Sequence, residues 1–164
     1  MRRAAVCAAL LTLATAGPAA AALPAHGKLV PGRSLGGVRL GEPAAQVTRT
    51  LGSFRGVCRG CATTTWYFTY KPFDQHGLAV ELTHGRVSGL FTLWQPDSWT
   101  GPNGIVLGAF EGDATSRAGS LAPAACTGYT AYTQDAGATQ TVYYVVDGKL
   151  WGFGLFRRGA SPCR

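Results

Sequence analysis

Charge is scarce in this chain, and acid is scarcer. Of 164 residues only 14% are charged, and Asp and Glu together number 8. Because the carboxylates are spread thinly, no pair of them can be named for general acid–base or glycoside chemistry. Phosphate-cradling and dinucleotide-binding glycine loops are missing as well. His76 and His84, the remaining ligands a zinc site on Cys58 and Cys61 would need, fall at no common ligand spacing. No cofactor and no metal are therefore expected, and no catalytic residue is named. Beyond residue 22 no segment approaches the roughly 20 apolar residues of a membrane span. Basic residues exceed acidic ones, giving a formal charge of +7, but only Arg157 and Arg158 are adjacent in the body of the chain. A scattered excess of that kind suits solubility better than a nucleic-acid groove, so no nucleic-acid partner is expected.

Two strings that mimic catalytic motifs fail on context. Gly32-Arg33-Ser34-Leu35-Gly36 has the G-x-S-x-G spacing of a nucleophile elbow, which needs a strand before it, a helix after it and a large α/β sheet beneath. Asp74 and His76 lie close together, but beside a Pro-containing turn and with no nucleophile placed next to them.

What the chain does have begins with a signal peptide over residues 1–22. Arg2 and Arg3 precede the apolar stretch from Ala4 to Ala16, and small residues follow at Ala19 to Ala22. Export is expected, to the extracellular or a periplasm-like envelope space. Losing the two arginines lowers the charge from +7 to about +5 on roughly 140 residues, the size of one compact domain.

The exported part says nearly the same thing twice. Gly37 to Ser53, GVRLGEPAAQVTRTLGS, recurs as Gly104 to Ser120, GIVLGAFEGDATSRAGS, with Gly, Leu, Gly, Thr, Gly and Ser in matching places. Each copy is followed by a cysteine, an aromatic strand-like stretch and a two-residue turn, His84-Gly85 or Asp147-Gly148. Such an internal duplication governs the fold. An α+β architecture is expected, with two tandem helix-plus-antiparallel-meander repeats and the helices on one face of the sheet. Repeat one spans 23–95, with a helix at 43–51 and strands at 63–70, 78–83 and 86–94. A Pro- and Gly-rich linker follows at 96–104. Repeat two spans 105–164, with a helix at 110–118 and strands at 129–134, 139–146 and 149–157. Pro43 suits a first helical position and Gly52 a helix end, while Ala44, Val47 and Leu51 share a face. Asp147-Gly148 is the preferred pair for a tight hairpin turn.

Four cysteines remain after signal removal: Cys58, Cys61, Cys126 and Cys163. In an exported chain they read as two disulfides with three possible pairings. The short C-R-G-C spacing favours Cys58 with Cys61, leaving Cys126 with Cys163. A redox role for Cys58 and Cys61 would need the first thiol at a helix N-terminus, whereas this pair follows Gly52 and precedes a strand.

The string Leu40 to Gly52, LGEPAAQVTRTLG, followed by an aromatic strand and a hairpin, resembles the BamE (SmpA/OmlA) family, matching it at Gly41, Gln46, Val47, Leu51 and Gly52. Two tandem copies of that unit are similar to the secreted β-lactamase inhibitor proteins. The resemblance implies a non-catalytic protein, inhibitor-like or envelope-scaffold-like, that binds another extracellular or envelope protein.

Uninterrupted alternation from each turn puts Val145 and Leu150 on the helix-covered side. It puts Val142, Tyr144, Trp151, Phe153 and Leu155 on the other side, with Trp94 of repeat one on the equivalent face. Aromatics on an exposed sheet face are the residue types of interaction hot spots, so Trp94, Val142, Tyr144, Trp151 and Phe153 are the expected partner-binding residues. The competing reading is that a loop or the signal-proximal segment covers them, making a second small core. Two other functions remain as alternatives: binding anionic envelope polymers through Arg86, Lys149, Arg157 and Arg158, or small redox or enzymatic work at Cys58 and Cys61.

Overall fold

A computed structural model describes residues 22–164. The signal peptide expected at 1–22 lies, apart from its last residue, outside the described residues. A small ribbon comes first, β1 (Leu29–Val30) with β2 (Ser34–Leu35), then helix α1 (Ala44–Leu51). Strands β3 (Gly56–Val57), β4 (Thr64–Thr69), β5 (Gly77–Thr83) and β6 (Arg86–Leu93) follow. After a 3-10 turn at Pro102–Gly104 come helix α2 (Glu111–Ala118) and strands β7 (Ala122–Cys126), β8 (Tyr129–Ala136), β9 (Thr139–Val146) and β10 (Lys149–Arg157). Strands β3 to β10 form one 8-stranded antiparallel sheet, ordered β3-β4-β5-β6-β10-β9-β8-β7. The fold is α+β, with one large sheet and the two helices packed into a shared core.

Each helix is seated on a hairpin turn by the same backbone bonds. Gly41 donates to the Val87 carbonyl, Val87 to Glu42 and Ala44 to Gly85; Gly108 donates to Leu150, Leu150 to Ala109 and Glu111 to Gly148. Neither helix has a side-chain N-cap, so the hairpin carbonyls at Gly85 and Gly148 take up an amide that the helix itself leaves unpaired. Pro43 is the cap residue, in extended conformation, and the helix begins one residue after the expected 43. Gly41 and Gly108, at φ 82° and 89°, make the left-handed bends that bring the chain onto the turns.

Val47 and Leu51 of α1, with Ala114 and Ala118 of α2, face a core built from Leu78, Val80, Leu82, Leu90, Leu150, Phe153 and Leu155. Its largest member comes from the expected linker. Trp99 is fully buried, and its ring lies so close to Gly27 that a Cβ there would stand 2.2 Å from it. Tyr70 Oη accepts the Trp99 indole N–H at 2.6 Å. The linker is thus sewn to the N-terminal segment, with Leu29 donating to the Thr100 carbonyl at 2.8 Å and Thr100 to Gly27 at 3.0 Å.

The sheet corrects the expected three-stranded meanders, because each half carries a fourth strand at its outer edge. β3 is 2 residues long, and β7 reads Ala-Pro-Ala-Ala-Cys, a sequence with neither alternation nor branched or aromatic side chains. An edge position is where a strand tolerates proline, since one row of its amides has no ladder to join.

The register corrects a second expectation. Beyond its turn, hairpin β5–β6 pairs Leu82 with Val87 but Glu81 with Gly89, and hairpin β9–β10 pairs Val145 with Leu150 but Tyr144 with Gly152. A bulge therefore falls three residues after the second turn glycine in both, at Ser88 and at Trp151. The extra residue reverses the facing of everything after it. Phe153 pairs with Tyr143 and Leu155 with Thr141, on the core side, whereas Val142, Tyr144 and Phe156 lie on the outer side.

Candidate functional site

The outer face carries a second, smaller cluster of Ala131, Val142, Tyr144 and Phe156, with Phe91, Cys126, Tyr129 and Ala160 against it. What covers it is neither of the segments expected from the sequence but residues 161–164, which run back over the sheet as a strap. Tyr144 Oη donates to the Pro162 carbonyl at 3.0 Å. Tyr129 Oη donates to the Arg164 carbonyl at 2.7 Å and accepts the Arg164 amide at 2.6 Å. The Arg164 guanidinium lies 4.2 Å from the Phe156 ring centre, and its Nε is 2.7 Å from Oε1 of Glu81 on β5. A disulfide from Cys126, the last residue of edge strand β7, to Cys163 ties the strap to that edge of the sheet, on the same outer face. Under this cover Tyr144 is 7% exposed, and burial holds its phenol well above the ordinary tyrosine range.

Beside the strap the face opens into a cleft of about 280 Å³, lined by Leu93, Trp94, Val146, Trp151, Tyr129 and Tyr144 among others, with Arg164 as one wall. Trp94 and Trp151 meet edge to face, ring centres 5.1 Å apart, and Tyr129 and Tyr144 do likewise at 5.7 Å. Trp151 follows inward-facing Leu150 and, as the bulged residue, has no opposing residue of its own. Trp94, the residue after β6, is 49% exposed and has φ 52°, a left-handed conformation uncommon for a bulky side chain. The hydroxyls and the guanidinium in the walls are already engaged. Thr92 Oγ1 accepts the Phe153 amide at 2.9 Å, and Arg164 Nη1 donates to the carbonyls of Ser161 and Cys163 at 2.7 and 2.8 Å. The cleft offers aromatic and aliphatic surface; its tyrosine hydroxyls and guanidinium are spent on the strap and its threonine hydroxyl on β10.

The five residues expected on one binding face divide three ways. Trp94 and Trp151 stand together at the cleft. Tyr144 has its ring in the cleft wall and its hydroxyl under the strap, with Val142 buried beside it. Phe153 is on the opposite side of the sheet, fully buried, because the bulge at Trp151 shifts its facing. Sequence reasoning missed Tyr129, Arg164 and Glu81. One signal was available: a disulfide from Cys163, next to Arg164, to Cys126 on an edge strand holds this segment against the sheet.

Elsewhere, Cys58 is bonded to Cys61 in the connection between β3 and β4, away from either helix N-terminus. Two disulfides are the chemistry of an oxidising compartment, and they accord with export. Asp74 accepts the His76 amide at 3.1 Å and its ring at 3.0 Å, bonds that hold the Asp74 carboxyl below its usual range. Ser34 lies in the β1–β2 ribbon, followed by Gly36 and Gly37 at φ 58° and 85° rather than by a helix. The basic residues are dispersed: Arg158 pairs with Asp135, Arg86 donates to the Gly41 carbonyl, and Lys149 lies by the Phe110 ring. Among the described residues no three His, Cys, Asp or Glu are grouped as metal ligands would be, and no helix is long and apolar enough to cross a membrane.

No family model matches this chain, and neither does any curated protein. Solved structures similar to it include an extracellular protein containing an SCP domain from Bacillus anthracis str. Ames, with TM-score 0.48 and 8% identity over 73% of this chain. Another is a cysteine-rich secretory protein from Staphylococcus aureus subsp. aureus Mu50, with TM-score 0.45 and 11% identity over 73% of this chain. The chain spans 44% of the length of each. The resemblance to BamE and the β-lactamase inhibitor proteins is not upheld, since no family model matches and the structures found bear other names. Its motif has a local physical origin. Gly41 and Gly52 stand at φ 82° and 91°, flanking the helix, and Val47 and Leu51 are its buried face, requirements any short helix seated on a hairpin would share.

Proposed function

We propose that this chain is a secreted, non-catalytic module that binds another extracellular or envelope protein through the cleft around Trp94 and Trp151. The observation that carries the reading is the edge-to-face pair of exposed Trp94 and half-buried Trp151 beside an apolar cleft, with Trp94 in a left-handed backbone conformation. An unusual backbone geometry at an exposed aromatic is where strain and function tend to coincide. Tryptophan anchors entering or framing a desolvated pocket supply most of the energy of typical hot spots. With its hydroxyls and guanidinium engaged, the cleft suits an aliphatic or aromatic anchor on the partner better than a reacting substrate.

The two halves read as tandem copies of one unit. Matching seating bonds, matching glycines and bulges at the same place in each hairpin support this. The copies then diverge at the bulge itself, Ser88 in one and Trp151 in the other. Affinity capture from the native culture medium with the exported chain, set beside the Trp94→Ala/Trp151→Ala double variant, tests the reading. Capture of a specific protein should fall at least tenfold in the variant while its circular dichroism stays unchanged. Equal capture by both chains would sink it.

A further inference from the structure

We propose that residues 161–164 form a redox-held strap, in which reduction of the Cys126–Cys163 bond by a dithiol frees the strap and lengthens the cleft into a groove running from Trp94 to Phe156. This goes beyond the docking reading, since the opening is a property of the chain with no partner present.

The geometry separates this bond from the other disulfide. Cys58 and Cys61 are 3 residues apart, so opening their bond releases only the loop between them. Cys126 and Cys163 are 37 apart and join an edge strand to a segment that has no place in the sheet. Residues 161–164 belong to no strand. The strap rests on the outer cluster through the Pro162 and Arg164 contacts already described and through the disulfide. Each of those polar contacts involves groups that water can satisfy equally well once the strap lifts. The bond is also reachable, because Cys126 ends the edge strand β7 and both cysteines are partly exposed.

The exchange balances. A thiolate of the dithiol attacks one sulfur of the bond, the other leaves as a thiolate and takes up a proton, and the dithiol's second thiol then displaces the mixed disulfide. Two electrons and two protons pass to Cys126 and Cys163, which end as thiols, and the dithiol ends as a disulfide. Val142, Tyr144 and Phe156, at 0%, 7% and 0% exposure, then lie beneath a cover held only by reversible contacts. The groove so uncovered is continuous with the tryptophan pair, since Tyr144 and Arg164 line both the cleft and the strap's seat.

Amide hydrogen exchange followed by NMR on the full exported chain tests the strap directly. Three samples suffice: the oxidised protein, the Cys126→Ser variant, which opens this bond alone, and the wild type treated with dithiothreitol. The Arg164 amide, bonded to Tyr129 in the closed state, should exchange at least tenfold faster in both opened samples. Binding of a hydrophobic dye should rise severalfold, while core amides such as Val145 and Phe153, quickened only as far as global stability falls, still exchange far more slowly than Arg164. Unchanged exchange at Arg164 would overturn the proposal, because the strap then stays closed without the bond. Core amides exchanging as fast as Arg164 in the Cys126→Ser variant would overturn it too, because the sheet then opens together with the strap. Either result leaves the partner-capture experiment standing, so the two readings fail separately.

Discussion

Phe153 and Trp151 are two residues apart on one strand, and unbroken alternation would give them the same face and the same energetic role. The bulge gives them opposite ones. Phe153 is 0% exposed and meets Tyr143 edge to face at 6.0 Å, and its ring lies within 3.5 Å of where a Cβ on Gly101 would stand. Truncating a buried phenylalanine removes its transfer energy and leaves a cavity, so Phe153→Ala should cost about 3–5 kcal/mol. For a chain of this size each kcal/mol lowers Tm by roughly 2–4 °C, which amounts to a fall on the order of 10 °C. Trp151→Ala removes a half-buried ring whose main aromatic contact is Trp94, worth about 1 kcal/mol, and should lower Tm by only a few degrees. Urea and thermal unfolding followed by far-ultraviolet circular dichroism avoid the fluorescence change that loss of a tryptophan brings. If Trp151→Ala proved the costlier substitution, or Phe153→Ala cost less than about 1 kcal/mol, the bulge would be misplaced. The division of the aromatic residues between two faces would fall with it.

Two further outcomes follow from the same structure. In the chain-entropy picture, closing 37 residues with Cys126–Cys163 is worth about 4 kcal/mol, and closing 3 residues with Cys58–Cys61 less than about 2 kcal/mol. Paired alanine variants at each bond, compared in urea midpoints, should rank in that order; the reverse order would contradict the picture. Tyr143, whose hydroxyl is buried without a partner, has its pKa pushed up to about 12 by desolvation. Its folded value exceeds the unfolded one of about 10, so its contribution is intact below pH ~10 and is lost as pH rises through about 12. Titration at 295 nm should show Tyr143 ionising after the exposed tyrosines, and Tyr143→Phe should flatten the decline in stability over that interval. No change in the variant's alkaline profile would refute the assignment.

Local chemistry made several elements readable without coordinates. Asp147-Gly148 and His84-Gly85 occupy the hairpin turns between β9 and β10 and between β5 and β6, with Asp147 and His84 at φ 49° and 50°. The glycines after Leu51 and Ala118 end the helices. Other features depend on distant partners. Trp99 sits between prolines and glycines like any linker residue, and only the Gly27 and Gly36 backbones, which leave room for its ring, make it core. β7 has no strand pattern because β8 supplies the ladder and solvent takes the other edge. The bulges are invisible to alternation by their nature, and misplacing one inverted every later residue of β10. At the candidate site, the sequence pointed to Trp94 and Trp151. It could not show that Glu81 and Arg164, 83 positions apart, would close a strap between the two halves.

A bulged residue has no cross-strand partner of its own. Ser88 and Trp151 each share one opposing residue with the glycine that follows, and each takes its side-chain contact elsewhere: the Ser88 hydroxyl accepts from Thr83 at 3.0 Å, and the Trp151 ring meets Trp94. That makes the bulge a site in each hairpin where the side chain is not matched to a directly opposed residue. A small hydroxyl and a large indole fill it in the two halves while the residues around them keep the same bonds. New contact surfaces could therefore be built on this scaffold by changing one residue per hairpin, with folding left to the glycines and the buried face.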